Sequence, residues 1–166
     1  MRILGTVLAD LSYKDQLVNL LHSDSKIVTR VFRMIKIKDL LKSDINLAKE
    51  LTDQVEWGNS IEDWKRLFII SIPIAAYDGD KLVGVTTAFD YGKLGMIGNV
   101  LVSEDYRGKN IGSKLVKEAM KRLDSCDSVR VHSTMESAIF YKKLGFVAEG
   151  MSTLFRLDAD LKAFQP

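Results

Sequence analysis

The stretch DYRGKNIGSKLVKEAM, residues 105–120, combines cationic, glycine and small residues at the start of a predicted helix. The apolar run MIGNVLV before it favours a strand. A helix N-terminus offers unpaired backbone N–H groups and the positive end of the helix dipole, which together attract anions. Glycine allows a tight turn, small residues leave room for a phosphate, and cations add charge. The spacing therefore predicts an anion site that suits a pyrophosphate, formed by Arg107, Gly108, Lys109, Gly112 and Ser113.

Two other phosphate-binding motifs do not fit this stretch. The segment GKNIGSK lacks the glycine that a P-loop places five residues before its Gly-Lys-Ser/Thr, and no G-x-G-x-x-G is present. Short turns that contain glycine and lysine are also common in solvated loops. Spacing alone therefore leaves two interpretations open, an anion site and an ordinary loop before a helix.

The composition is that of a globular protein with no strong charge bias. The 166 residues are 46% hydrophobic, and 24 Lys and Arg balance 22 Asp and Glu for a net charge of +2. This balance disfavours nucleic acid or an anionic membrane as the main partner. The single cysteine, Cys126, excludes an internal disulfide and a cysteine-rich metal site, so no metal is predicted. We find no secretory signal or membrane span in the sequence and expect a cytoplasmic protein.

Periodicity and turn signals predict an α+β fold with a mixed sheet. Helices are predicted over 12–23, from Asp39 to residue 51, and over 59–70, where Ser60 and Asp63 form an acidic capping box. Strands are predicted over 27–37, 72–78, 81–91, 94–102 and 128–133, with a Gly79-Asp80 hairpin turn. The anion loop leads into a helix that ends near Leu123, a further helix over 135–145 is closed by Gly145, and 146–157 form one or two final strands.

Two segments together resemble the GNAT N-acetyltransferase superfamily. NVLVSEDYRGKNIGSKLVKEAM is similar to the family's coenzyme A signature, Q/R-x-x-G-x-G/A, and IFYKKLGF is similar to its second conserved box, in the order that the family requires. The resemblance implies a mixed, mostly antiparallel central sheet whose fourth and fifth strands splay apart, flanked by about four helices. It also implies a GNAT domain over 28–166, preceded by an N-terminal extension over 1–27.

The resemblance implies that acetyl-coenzyme A lies in the splay. Backbone groups of the fourth strand would pair with its pantetheine arm, and the loop amides would hold its pyrophosphate. The sequence departs from the signature at its middle glycine, which is Asn110; asparagine tolerates a left-handed backbone, so we expect the turn to be kept. The cofactor residues implied are Val100, Leu101, Val102, Arg107, Gly108, Lys109, Asn110, Ile111, Gly112, Ser113 and Thr134.

The resemblance also suggests catalytic groups. Tyr141 occupies the family's tyrosine position and is predicted to be the general acid, with core packing as the alternative. His132 is the predicted base, although a lone histidine at a strand end is often a surface residue. The acceptor is predicted to contact Glu56, Trp57, Asp90 and Asn99, and Glu56 and Asp90 are the other candidate bases.

These predictions lead to an enzyme that transfers an acetyl group from acetyl-coenzyme A to a primary amine by direct attack in a ternary complex. The acceptor would be a small molecule or a peptide, with no nucleic acid or membrane partner. The apolar run RILGTVLA in the first 27 residues suggests a homodimer contact. The alternative function is an acyl-coenzyme A sensor with little or no transferase activity.

Overall fold

The computed structural model describes residues 35–153, which fall into two compact units divided between His132 and Ser133. The first unit is built on a five-stranded sheet, and the second contains the helix α4 (Ala138–Lys143). The strands are β1 (Lys36–Asp39), β2 (Ile72–Asp78), β3 (Lys81–Asp90), β4 (Leu94–Val102) and β5 (Ser128–Val131). The other helices are α1 (Ile45–Asp53), α2 (Ile61–Ile70) and α3 (Ile111–Arg122).

The sheet is mixed and mostly antiparallel. Its strands lie in the order β1-β2-β3-β4-β5, with antiparallel pairing from β1 to β4 and parallel pairing between β4 and β5. A parallel pair needs a crossover between its strands, and α3 supplies it. The predicted fold class, α+β with a mostly antiparallel central sheet, is confirmed.

The two faces of the sheet bury different helices. One face packs on α1 and α2 through a cluster that includes Trp64, Tyr77, Val85 and Leu101. Neighbouring residues of a strand point to opposite faces, so Gly84 faces α3. A Cβ atom at Gly84 would lie 2.9 Å from the Leu101 carbonyl oxygen and 3.1 Å from Leu115 Cδ1. The absence of a side chain there lets α3 pack closely against β3 and β4.

The predicted start of the helix near Asp39 is wrong. Asp39 is the last residue of β1 and pairs with Ile74, and the helix begins only at Ile45, after a short 3₁₀ turn over Lys42–Asp44. Sheet pairing satisfies the backbone groups of 36–39, and it overrides the local helical pattern. The capping box at the start of α2 is confirmed, because Ser60 Oγ accepts from the Asp63 amide and Asp63 Oδ2 accepts from the Ser60 amide.

The predicted final strand is wrong for the residues that can be described, since 146–153 form no strand. Val147 is 85% exposed and Met151 is 89% exposed, so the apolar residues of this segment are not buried on a sheet. An apolar pattern forms a strand only where a neighbouring strand satisfies its backbone. Several predictions lie outside the described residues: the helix over 12–23, the rest of the strand over 27–37, the extension over 1–27 and the strand residues 154–157.

A buried tyrosine makes the stability of the first unit sensitive to high pH. Tyr77 is 3% exposed, and its hydroxyl donates to the Asp44 carboxylate. Burial and then this carboxylate raise the pKa of Tyr77 above its ordinary value. The folded state thus holds the phenolic proton more tightly than the unfolded chain. The resulting stabilisation is complete below the unfolded pKa of about 10 and is lost as the pH rises above it.

We therefore expect the free energy of unfolding to fall by up to about 1.4 kcal/mol per pH unit above pH 10 because of Tyr77. Urea unfolding at pH values from 8 to 11 should show a shallower decline for Tyr77→Phe than for the wild type. Tyr91→Phe, at a tyrosine that is 62% exposed, serves as the control and should decline like the wild type. Equal slopes for all three proteins would show that Tyr77 is not the responsible group.

Candidate functional site

The edge of β4 opens where β5 ends. The last pair between the two strands joins Ile97 and Val131, so residues 98–102 of β4 continue beyond β5. Among residues 35–153, no strand pairs with that side of Gly98–Val102. This is the predicted splay between the fourth and fifth strands. It leaves a strand edge that can add an extended, amide-bearing ligand.

A bulge in β4 lies at the same point. The pairing of β4 with β3 shifts so that Thr86 faces both Asn99 and Val100, and Asn99 has a left-handed backbone with φ of 52°. Two threonine hydroxyls fix the bulge: Thr86 Oγ1 donates to the Gly98 carbonyl at 2.9 Å, and Thr87 Oγ1 donates to Asn99 Oδ1 at 3.1 Å. A bulge bends its strand and increases the local twist. The bulge thus bends β4 just beyond Ile97, its last residue paired with β5.

Backbone alternation decides which groups the open edge presents. The Ser103 amide donates to the Val83 carbonyl at 2.9 Å, so the backbone of Ser103 faces β3. Successive residues of a strand face opposite edges, which places the amide of Leu101 toward β3 and that of Val102 on the open edge. Arg107 Nε donates to the Val102 carbonyl at 3.3 Å, as expected for a carbonyl that β3 does not use. Leu101, 6% exposed, belongs to the core behind the edge.

The loop after β4 presents backbone amides at the start of α3. The first hydrogen bond of the helix runs from the Lys114 amide to the Asn110 carbonyl at 3.1 Å, so helical bonding begins only after Ile111, Gly112 and Ser113. Their amides are the donors that a helix N-terminus leaves for an anion. Asn110 has φ of 59° and ψ of 17°. The prediction that asparagine keeps the left-handed conformation of the missing glycine is confirmed.

Gly108, with φ of 76°, supplies a second left-handed residue in the same loop. Alternation of left-handed and ordinary residues turns successive amides toward one concave surface, and such nests bind anions. The side chains of Arg107 and Lys109 are exposed beside it. Of the predicted anion-site residues, Arg107, Gly108 and Lys109 therefore lie in this loop, and Gly112 and Ser113 lie in the first turn of α3.

Tyr106 was not among the site residues predicted from the sequence. In the segment 104–110 it is the one residue that is not exposed, and its hydroxyl donates to Asp78 Oδ2 at 2.8 Å. An aromatic residue within a run of charged ones was the available signal. Lys109 Nζ lies 4.6 Å from the centre of the Tyr106 ring and donates to the Asp105 carbonyl at 2.9 Å.

His132 directly follows the last residue of β5 and is exposed. Because Val131 pairs with Ile97, His132 lies where the open edge of β4 begins. Its predicted position near the splay is thus found in the structure. Its role as a base is a proposal.

The four predicted acceptor residues do not form one cluster. Asp90 pairs with Gly95 at the opposite end of β4 from Val102, and its Oδ1 accepts from the Gly92 amide at 2.7 Å. Its carboxylate thus stabilises a turn. Asn99 belongs to the bulge. Glu56 and Trp57 lie in the exposed loop after α1, where Glu56 has a left-handed φ of 55° and Trp57 is 49% exposed.

The second unit contains the predicted acid. Tyr141 is 8% exposed and meets the rings of Phe140 and Phe146 edge to face, with centroid distances of 4.9 and 5.8 Å. Burial raises the pKa of Tyr141, which keeps its phenol protonated at neutral pH. Thr134 Oγ1 accepts from the Ser137 amide at 3.4 Å in the turn before α4. The packing of Tyr141 is therefore observed, and its proton donation is a proposal.

The part of the chain that the structure describes has no candidate metal site and no membrane-spanning helix. No group of three or more His, Cys, Asp or Glu side chains in 35–153 could hold a metal ion. No helix in this part of the chain is long and apolar enough to span a bilayer.

Comparison with known proteins identifies the domain. Residues 67–148 match the family model described as an acetyltransferase (GNAT) domain, and a search of curated proteins finds no match. A similar solved structure is glucosamine-6-phosphate N-acetyltransferase from Arabidopsis thaliana, at 22% identity and a TM-score of 0.63 over 75% of this chain and 99% of that chain.

Two further structures have the same fold. A Trypanosoma brucei acetyltransferase is 21% identical with a TM-score of 0.65, over 75% of this chain and 100% of that one. A GNAT family protein from Streptococcus pneumoniae is 24% identical with a TM-score of 0.62, over 76% of this chain and 98% of that one. These likenesses show the fold, and the family model adds the activity class. Residues 67–148 are therefore an acetyltransferase domain of the GNAT superfamily, and the protein is an enzyme of the acyltransferase class.

Proposed function

We propose that the protein transfers an acetyl group from acetyl-coenzyme A to a primary amine, by direct attack in a ternary complex. The observation that carries this proposal is the continuity of two features: the open edge of β4 leads through residues 103–110 into the first-turn amides of α3, which precede helical hydrogen bonding. An extended arm that ends in a diphosphate needs such a surface. The acetyltransferase family of the domain supplies the reaction class.

The residues present fit acetyl-coenzyme A. Its pantetheine arm carries amides that can pair with the backbone of Val102 as an added strand does. Its diphosphate suits the amides of Ile111, Gly112 and Ser113, with Arg107 and Lys109 alongside. Val100, Gly108 and Asn110 remain proposed cofactor residues. Leu101 was predicted to pair with the arm through its backbone, but it lies in the core behind the open edge with its amide toward β3. Thr134 remains a proposed contact by family resemblance.

The reaction forms a bond from the amine nitrogen to the thioester carbonyl carbon and breaks the bond from that carbon to sulfur. The amine must lose a proton, and the departing sulfur must gain one. We assign donation to the Tyr141 phenol, whose raised pKa keeps the proton in place until negative charge develops on sulfur. A backbone N–H at the open edge of β4 would stabilise the charge on the carbonyl oxygen.

We assign the base to His132 because it lies where the open edge begins. His132→Ala should lower kcat/KM at least about tenfold, as expected for loss of a general base. His22→Ala, at the other histidine of the sequence, is the control. An unchanged kcat/KM would shift the assignment to Glu56 or to a water-relayed proton.

The acceptor is proposed as a small-molecule or peptide amine. The acidic residues of the region are scattered among basic ones, so the charge pattern does not select a polycation.

We also propose a cytoplasmic location, a domain over 28–166 and a homodimer contact made by residues 1–27. A version that lacks residues 1–26 and keeps its oligomeric state would exclude that contact.

The sensor alternative depended on the replacement of a signature glycine by Asn110. Because Asn110 adopts the left-handed conformation that this position needs, the replacement gives no reason to expect a loss of transfer. An unidentified base was its other support, and the position of His132 supplies a candidate.

The experiment that tests this mechanism is a panel of primary amines assayed by release of free thiol, with mass spectrometry of each product. We expect one amine class to gain a single acetyl group, with initial-rate lines that intersect when both substrates are varied. Thiol release with parallel lines and an acetylated protein would contradict direct attack and indicate a covalent intermediate.

A further inference from the structure

One aromatic side chain anchors the loop that carries the predicted anion site. Tyr106 ends the 3₁₀ turn Glu104–Tyr106, immediately before Arg107. It is half-buried while the other residues of 104–110 are exposed, and its hydroxyl donates to Asp78 Oδ2 at 2.8 Å. Asp78 is the last residue of β2, so this bond connects the loop to a strand of the sheet.

Two lysines from different parts of the chain lie close to the same ring. Lys109 Nζ lies 4.6 Å and Lys81 Nζ 5.2 Å from its centroid. Distances of this size allow cation–π attraction. Lys109 comes from the loop itself, whereas Lys81 comes from the start of β3. The ring thus has one cation from the loop and one from the sheet close to it.

The two oxygens of the Asp78 carboxylate differ in their hydrogen bonding. Its Oδ1 is buried and has no hydrogen-bond partner among residues 35–153. A buried carboxylate oxygen without a partner is destabilising. If the ring moved away, the other oxygen would also lose the hydrogen bond from Tyr106, so this bond favours the observed position of the ring. That position in turn fixes where the loop leaves the sheet.

We propose that Tyr106, held by Asp78, is a positioning residue that preorganises the loop and both lysines for the phosphates of coenzyme A. This inference rests on the proposed function and assigns to Tyr106, Asp78 and Lys81 roles in cofactor affinity. A loop that is already ordered loses less conformational entropy when it binds its ligand, and the affinity rises accordingly. None of the three residues needs to touch the reacting atoms.

Tyr106→Phe removes the hydroxyl and keeps the ring, whereas Tyr106→Leu removes both. Calorimetric titration of the full chain with coenzyme A should show a dissociation constant about tenfold higher for Tyr106→Phe, as for loss of one hydrogen bond to a charged group. Tyr106→Leu should weaken binding further. Once the acceptor is known, the KM for acetyl-coenzyme A should rise while kcat at saturation stays within twofold.

Asp78→Asn separates positioning from a general loss of stability. The asparagine oxygen can still accept a hydrogen bond from the Tyr106 hydroxyl, but the bond loses its charged partner, so Asp78→Asn should weaken coenzyme A binding less than Tyr106→Phe does. The double variant Tyr106→Phe with Asp78→Asn removes the unpaired charge and should recover melting temperature without recovering affinity. Affinity that recovers together with melting temperature would overturn the positioning role.

The outcomes also distinguish this inference from the proposed function. If the wild type binds coenzyme A and the folded Tyr106 variants bind it equally well, the positioning role is wrong and the proposed function stands. If the wild type does not bind coenzyme A, the proposed function fails, and the role of Tyr106 fails with it. Lys81→Gln should weaken binding, while Lys65→Gln, at an exposed lysine of α2, should not.

Discussion

Gly112→Glu is expected to abolish binding of acetyl-coenzyme A. Gly112 lies in the first turn of α3, among the amides that precede helical hydrogen bonding. A glutamate there places a carboxylate beside the proposed diphosphate. Two like charges 4 Å apart repel by about 4 kcal/mol at an effective dielectric constant of 20, which corresponds to nearly three powers of ten in affinity. Calorimetric titration should therefore detect at least about a 100-fold loss.

The same substitution should not destabilise the helix. An acidic residue in the first turn interacts favourably with the helix dipole, and replacement of a helical glycine favours the helical backbone. Loss of binding would therefore reflect the site rather than unfolding. Met120→Glu adds the same charge to an exposed position of α3, where it should leave affinity unchanged. Equal affinity of Gly112→Glu and wild type would mean that the phosphates bind elsewhere.

The second large effect is expected for Tyr141→Phe. The phenol is proposed to protonate the departing sulfur, and general acid catalysis contributes a factor of about 100 or more. We expect kcat to fall by about that factor while the dissociation constant of acetyl-coenzyme A changes little. Phenylalanine keeps the ring that packs between Phe140 and Phe146, so the fold of the second unit should be retained.

The pH dependence provides a second test of this assignment. Burial raises the pKa of Tyr141, so its phenol should remain protonated between pH 6 and 9 and contribute no limb to the rate profile in that range. Tyr91→Phe removes the hydroxyl of an exposed tyrosine and should leave kcat unchanged. If Tyr141→Phe turns over at the wild-type rate, Tyr141 is a packing residue and another group donates the proton.

Local chemistry explains which elements could be predicted from the sequence. The capping box of Ser60 and Asp63 marks the start of α2, and Gly79-Asp80 marks the hairpin between β2 and β3; both are found where predicted. The left-handed Asn110 was also predictable, because few other residues adopt that backbone without strain. Each of these features depends on residues within a few positions of one another.

Features that depend on distant partners could not be predicted. The local sequence at Asp39 is typical of a helix start, but Asp39 pairs with Ile74 of β2 and is part of the sheet. The bulge at Asn99 needs the hydroxyls of Thr86 and Thr87 from the neighbouring strand. The Tyr106 hydroxyl donates to Asp78 of β2, which lies 28 positions earlier in the sequence. The candidate site was therefore predicted as a motif, while its supports became visible only in the structure.

The measurement that tests the central proposal most directly is calorimetric titration of the purified protein with acetyl-coenzyme A, with desulfo-coenzyme A and ATP as comparison ligands. We expect micromolar binding of both coenzyme A forms and little binding of ATP, because the open edge of β4 needs the pantetheine arm as well as a diphosphate. ATP that binds as tightly as acetyl-coenzyme A, or no binding of either coenzyme A form, would contradict the proposal.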